Sequence, residues 1–134
     1  MKSLILALAL VFSMPITAET DKEFSCLVHV IAHEAGTEPT RGMVAVGRTV
    51  INRVEDGRFG KTICDVIYAP KQFTNILKSP FPTGLRYAKA YAAANAVLQG
   101  EMGDFRALYF HNHSVSPKWG KKLLAVIGGH RFYA

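Results

Sequence analysis

His33-Glu34 stands at the end of an apolar run, L-V-H-V-I-A, in a chain of 134 residues. Two chemistries can start from such a pair. A zinc-hydrolase helix carries H-E-x-x-H, because the second histidine must lie one turn on to share the metal. Position 37 is a threonine, so that pattern fails. His29 lies one turn before His33, but no cysteine or acid is clearly assigned as a further ligand beside the two, and no metal or other cofactor is expected. The second chemistry needs only the carboxyl. Glu34 follows Leu27 by seven residues and Ile31 by three, nearly two helical turns and nearly one. It therefore projects at the edge of the apolar face. Partial desolvation raises a carboxyl's pKa, and an acid that keeps its proton near neutral pH suits general acid catalysis. A glutamate reaching to water from a helix end has the same spacing, so the pattern leaves both readings open.

Other residues invite chemistry less directly. Glu38 comes four residues after Glu34, beyond a break at Gly36. Two close carboxylates can act as acid and nucleophile, or one can orient the other. Equally, Glu38 can simply favour the positive end of the helix that follows. His111-Asn112-His113 spells the letters of a nuclease motif whose members are spread over tens of positions. As a consecutive tripeptide it reads instead as a polar strand end facing a cleft.

The elements that must position these groups follow from periodicity. Phe24, Leu27, Val28, Ile31 and Ala35 recur at helical spacing and predict a helix over Glu23 to Ala35, stopped by Gly36. Thr40 caps a second helix, apolar at Met43, Val44, Val46, Gly47, Val50, Ile51 and Val54 and ending near Glu55. Asp56-Gly57 marks the turn after it. Thr62 to Tyr68 is rich in β-branched residues and reads as a short strand or an irregular packed segment. Pro70, Pro80 and Pro82 punctuate a loop, and Tyr87 to Leu98 is an alanine-rich helix stopped by Gly100. Ala107 to His111 reads as a strand, and Lys121 to Ile127 as a last short helix ended by Gly128-Gly129. The class is α+β, mainly helical, with a small β element.

The chain's first residues belong to a different logic. Lys2 precedes an apolar run, Leu4 to Phe12, broken at Met14-Pro15, and Ile16-Thr17-Ala18 ends on a small residue. That is the form of a secretory leader, and it falls short of the roughly 20 residues a spanning helix needs. Residues 1–18 are expected to be removed, leaving one domain over 19–134 that is exported to the periplasm or cell envelope, without stable membrane insertion. Cys26 and Cys64 then meet an oxidising compartment, and a bridge between them is expected over the alternative of two buried thiols. Two cysteines are too few for a structural zinc site. The formal charge of +6 falls to +5 when Lys2 leaves. An anionic partner follows: nucleic acid, a membrane surface or an acidic wall polymer. Export speaks against intracellular nucleic acid.

Taken in order, several stretches carry a resemblance. E-A-G-T-E-P-T-R-G-M-V-A-V-G-R-T-V-I-N-R-V, Glu34 to Val54, resembles the cell-wall hydrolases of the SleB/CwlJ type, the spore-cortex-lytic enzymes. That family opens on E-A-R-G-E-P and continues to V-x-N-R-V. I-C-D-V-I-Y, Ile63 to Tyr68, then Gln72-Phe73-Thr74, A-L-Y-F-H, Pro117-x-Trp119 and I-G-G-H-R-F-Y, Ile127 to Tyr133, match its later landmarks. The set covers essentially the whole chain after the leader. Gly36-Thr37 replaces the family's Arg-Gly, which leaves open how that arginine's contacts are made here.

The resemblance implies a lysozyme-like or lytic-transglycosylase-like domain with a substrate groove. It implies Glu34 as catalytic acid, cutting the bond between N-acetylmuramic acid and N-acetylglucosamine and leaving a 1,6-anhydro ring. Around it, Glu38 is expected to orient Glu34. Asn52, Gln72 and His111 are expected to hydrogen-bond N-acetyl groups, and Tyr109 and Trp119 to stack on sugar rings. The partner implied is a peptidoglycan glycan strand, bound by a monomer. A muramidase-type hydrolase, a non-catalytic wall-binding module and a secreted basic nuclease are the competing functions.

Overall fold

The computed structural model describes residues 18–73 and 75–134. The expected leader lies outside them, apart from Ala18, which opens the first helix. The order is α1 (Ala18–Ala35), α2 (Thr40–Asp56), α3 (Ile63–Tyr68), a 3-10 turn (Ile76–Lys78), α4 (Gly84–Leu98), then strands β1 (Tyr109–Asn112), β2 (Leu123–Ile127) and β3 (His130–Tyr133).

Helix α1 is central and packs against α2, α3 and α4. Its periodic apolar stripe supplies Leu27, Val28 and Ile31, all essentially inaccessible to water. The helix begins five residues before the expected Glu23, and the acidic residues Asp21 and Glu23 near its start suit the positive end of a helix dipole. Across from it, α2 buries Met43, Val44, Val46 and Val50, and α4 buries Ala90, Ala93, Ala94 and Val97. Gly47 lets these three helices approach. A Cβ there would stand 2.9 Å from Ile31 Cδ1 and 3.0 Å from Val97 Cγ2. The small alanines of α4 serve the same close contact.

Along one side of α2, polar side chains hold backbone rather than water. Arg48 donates to the carbonyls of Val97 (2.9 Å), in the last turn of α4, and of Glu101 (3.2 Å) beyond its end. The Asn52 amide donates to Phe105 O (2.8 Å) and Ala107 O (2.9 Å). The segment leading into β1 is therefore laid against α2 by buried hydrogen bonds, which satisfy its carbonyls.

Three local expectations are corrected. Pro39, not Thr40, occupies the cap position of α2, and Thr40 is its first helical residue. Thr62 to Tyr68 is neither a short strand nor an irregular segment: Ile63–Tyr68 is a short helix with Thr62 at its cap. The Thr62 hydroxyl accepts from Asp65 N (3.1 Å), an N-terminal cap, while Cys64 N donates to Glu23 Oε2 of α1 (2.9 Å). Docking on α1 overrides a weak β propensity. The third correction is Lys121 to Ile127, whose core forms strand β2 and not a helix. Gly128-Gly129 is a hairpin turn joining β2 to β3, a signal that Gly-Gly between two apolar runs does carry.

The sheet has order β1-β3-β2, antiparallel throughout. Tyr109 pairs with Tyr133, Phe110 with Phe132 and His111 with Arg131. Directly paired residues share a face and successive residues alternate. Phe132, wholly buried, and Phe110 therefore share one face, and Tyr109, His111, Arg131 and Tyr133 share the other. Cys26 of α1 and Cys64 of α3 form a disulfide.

Candidate active site

Glu34 is half-buried on the last turn of α1, at the floor of a cleft of ≈ 430 Å³. The walls come from elements far apart in the chain. α1 brings His33, α2 brings Arg53, the loop after α3 brings Gln72 and Phe73, and β1 brings Phe110, His111 and Asn112. Among the described residues that line this cleft, Glu34 is the only carboxylic acid. Burial holds its carboxyl above the usual glutamate range, while the charges of His33 and Arg53 pull the other way. His33 Nε2 lies 3.7 Å from Glu34 Oε1.

Arg53, which the sequence reads as a helix-end residue with a turn role at least as fitting as a substrate contact, enters the site. Its guanidinium is caged, with ring centroids of Phe59, Phe73 and Tyr109 at 4.9, 5.2 and 5.8 Å. Nε donates to Leu108 O (2.7 Å) and one terminal nitrogen to Gln72 Oε1 (3.2 Å). Burial lowers its pKa to about 10, still well above neutrality, so the charge stays. Burial thus favours the neutral acid at Glu34 and Arg53 favours the carboxylate. A carboxyl balanced in that way can give up a proton and take it back. The N-R-V landmark was the available signal, since helical spacing puts Arg53 beside the buried Thr49 and Val50.

The remaining expected site residues divide. Gln72 and His111 line the cleft with Glu34. Asn52 does not, because its amide already holds the Phe105 and Ala107 carbonyls. Tyr109 and Trp119 are not among the residues that line the cleft; Tyr109 sits behind it, against Arg53. Trp119 contacts Tyr133 edge-on at 5.2 Å, and lies 5.9 Å from His111 and 5.8 Å from Tyr109 between ring centroids. Lys121 Nζ sits 3.8 Å over the Tyr109 ring.

Glu38 also turns away from the cleft. Its Oε2 accepts from Gly129 N (2.8 Å), and Oε1 lies 3.7 Å from Nδ1 of buried His130. His130 in turn contacts the Glu34 backbone, and burial lowers its pKa. Glu38 therefore pins the β2–β3 hairpin to the end of α1, beneath Glu34. The glycines of that hairpin are required. Gly128 has φ +56°, and a Cβ on it would run into the Glu38 carboxylate.

We expect Gly128→Ala to lower stability through two effects. A left-handed non-glycine residue costs about 1–2 kcal/mol, and losing a hydrogen bond to a charged group costs about 1.5–3 kcal/mol. Gly120→Ala is the control, because Gly120 has φ +58° with nothing within 4 Å of a Cβ. Urea midpoints of both variants check this. Equal losses would show that the Glu38 cradle contributes nothing.

Arg86 of α4 lies over Gly36 and donates to Ala32 O (2.7 Å), a carbonyl of the last turn of α1. A Cβ at Gly36 would be 2.8 Å from Arg86 Nε. The Arg86 guanidinium thus meets the negative end of α1.

A family described as Cell Wall Hydrolase matches residues 37–133. A spore cortex-lytic enzyme of Oceanobacillus iheyensis is 26% identical over 119 residues, covering 84% of this chain and 42% of that protein. One from Bacillus subtilis is 24% identical over 116 residues, covering 84% and 38%. The chain thus spans less than half the length of these curated relatives. The solved catalytic domain of the germination-specific lytic transglycosylase SleB from Bacillus anthracis superposes with a TM-score of 0.72. It is 26% identical, and the match covers 84% of this chain and 93% of that one. The catalytic domain of Bacillus cereus SleB, at 24% identity and a TM-score of 0.62, shows the same fold.

Proposed function

The chain belongs to the cell wall hydrolase family, and from that premise we propose an exported enzyme that cleaves the bond between N-acetylmuramic acid and N-acetylglucosamine in peptidoglycan, acting as a lytic transglycosylase. The observation that carries this reading is Glu34 as the one acidic side chain among the described residues of the cleft. Two-carboxylate glycosidases use their second carboxylate as nucleophile or as base for water. With one carboxyl, the same group serves twice. Protonated Glu34 donates to the glycosidic oxygen as the bond to the muramic C1 breaks. Positive charge develops on the sugar. The muramic 6-hydroxyl then bonds to C1, and its proton passes to the Glu34 carboxylate. The acid is restored and a 1,6-anhydro ring results. Arg53 steadies the carboxylate between the two transfers.

Gln72, whose NH2 group is left over from its contact with Arg53, hydrogen-bonds an N-acetyl group in this reading, His111 shapes the cleft wall beside it, and the Tyr109–Trp119 cluster packs on a sugar ring beyond the cleft. Glu38 acts through the hairpin as a positioning residue. Export is supported by the apolar leader and by the disulfide, which belongs to an oxidising compartment. No described helix is long and apolar enough to cross a membrane.

Digestion of intact sacculi by the purified chain, read by mass spectrometry, tests the proposal. Anhydro-muramic ends are the expected product. Reducing muramic ends would make water the acceptor and the enzyme a muramidase, and no fragments at all would leave a binding module. The pH profile adds a second check. A general acid works only while protonated, so kcat/KM should fall as pH rises through the Glu34 pKa. Because burial raises that pKa, the descending limb should lie above the usual glutamate range. A limb within the ordinary range would contradict the site as described.

A further inference from the structure

Beyond His111 and Val115 the cleft runs on into a second hollow of ≈ 300 Å³, which shares those two residues and adds His113, Ser116, Arg131 and Tyr133. We propose that this hollow is a carboxylate-recognition subsite for the substituent on the muramic acid C3 oxygen; the assignment rests on the function proposed above.

The sheet register builds it. His111 and Arg131 are direct cross-strand partners, with Tyr109 and Tyr133 as the next pair on the same face. His111 is held in place, one ring nitrogen sharing a hydrogen bond with the Tyr133 hydroxyl (2.7 Å) and the other lying 2.8 Å from Asn112 O. Arg131 is exposed, and among the described residues no carboxylate lies within ion-pair distance of it. The hollow's lining holds one arginine, two histidines and no acid. An unopposed guanidinium in an acid-free concavity is suited to a planar carboxylate, which it can bind through two parallel hydrogen bonds.

The substrate offers that group beside every cleavable bond. Each muramic residue carries a lactyl ether whose carboxyl is either free or extended into a stem peptide with carboxylates of its own. Glucosamine carries none. A strand whose scissile bond lies at Glu34 can direct this side group into the adjoining hollow. Arg131 then selects the register of alternating sugars, so that a muramic residue is cut.

Binding is measured with the full chain carrying Glu34→Gln, so that turnover does not consume the probe. One pair of probes is amidase-stripped glycan strands with free lactyl carboxylates, and the same strands capped as methylamides. The other pair is peptide-bearing strands, whose carboxylates lie only on the stems, and their capped counterparts. Capping is expected to weaken binding about tenfold in at least one pair, the value of a charge-assisted hydrogen bond. The first pair reports the lactyl source and the second the stem peptide. Adding Arg131→Gln, or His113→Gln as a second variant, should shrink the difference between free and capped strands. Capping without effect in both pairs overturns the subsite, as does a full difference retained in Arg131→Gln. Failure of every strand to bind overturns the functional reading together with it.

Discussion

Glu34→Gln should lower the release of fragments from peptidoglycan sacculi by about 10²–10⁴-fold, the usual contribution of a positioned general acid, without unfolding the protein. The amide matches the carboxyl in shape, so contacts around the last turn of α1 persist. Burial already favours the neutral form of this side chain, and exchanging a neutral acid for a neutral amide leaves little desolvation difference. What disappears is the proton that can be given to the glycosidic oxygen and the carboxylate that can take one back. No other carboxylic acid among the described cleft residues can substitute. Fragment yield by mass spectrometry, beside a thermal melt, separates chemistry from folding. More than a tenth of wild-type activity in a folded variant would place the acid elsewhere.

Removing the disulfide should have a large effect on stability. Cys26 and Cys64 close a loop with a sequence separation of 38 residues, and on the chain-entropy model that constraint contributes about 4 kcal/mol. The bridge also matters locally. A helix as short as α3, six residues long, is far below the length that holds itself in water. It depends on the bridge, on the Thr62 cap and on Glu23 of α1, which accepts from Cys64 N. The loop after α3 carries Gln72 and Phe73 into the cleft. Replacing both cysteines by serine should lower the unfolding free energy by about 4 kcal/mol, and reductant should do the same to the native chain. Urea titrations with and without reductant give the number. A loss below about 1 kcal/mol would show that packing on α1 alone suffices to hold α3.

The three long helices were legible because each carries its own signal: a repeating apolar stripe in α1 and α2, and alanine propensity in α4. The position of Glu34 was legible for the same reason, since seven residues from Leu27 fixes its direction on a helix. The short elements were not. Six or seven residues hold too little periodicity to outweigh their neighbours, so α3 reads as a strand or an irregular segment and β2 as a helix, whereas a cap and docking on α1 decide the first and pairing with β3 the second.

Glu38 and Arg53 illustrate the remaining gap. The sequence sets both at helix ends, where either can face water. Tertiary packing alone sends Glu38 under the β2–β3 hairpin, 91 residues away, and brings Arg53 inward beside Glu34, between three aromatic rings from the segment after α2, the loop after α3 and β1. Local spacing determines where along and around a helix a side chain stands. Which distant surface it then meets, and hence whether its charge is exposed, pinned or set to balance an acid, is decided by the one packing that buries the apolar faces of all the elements together.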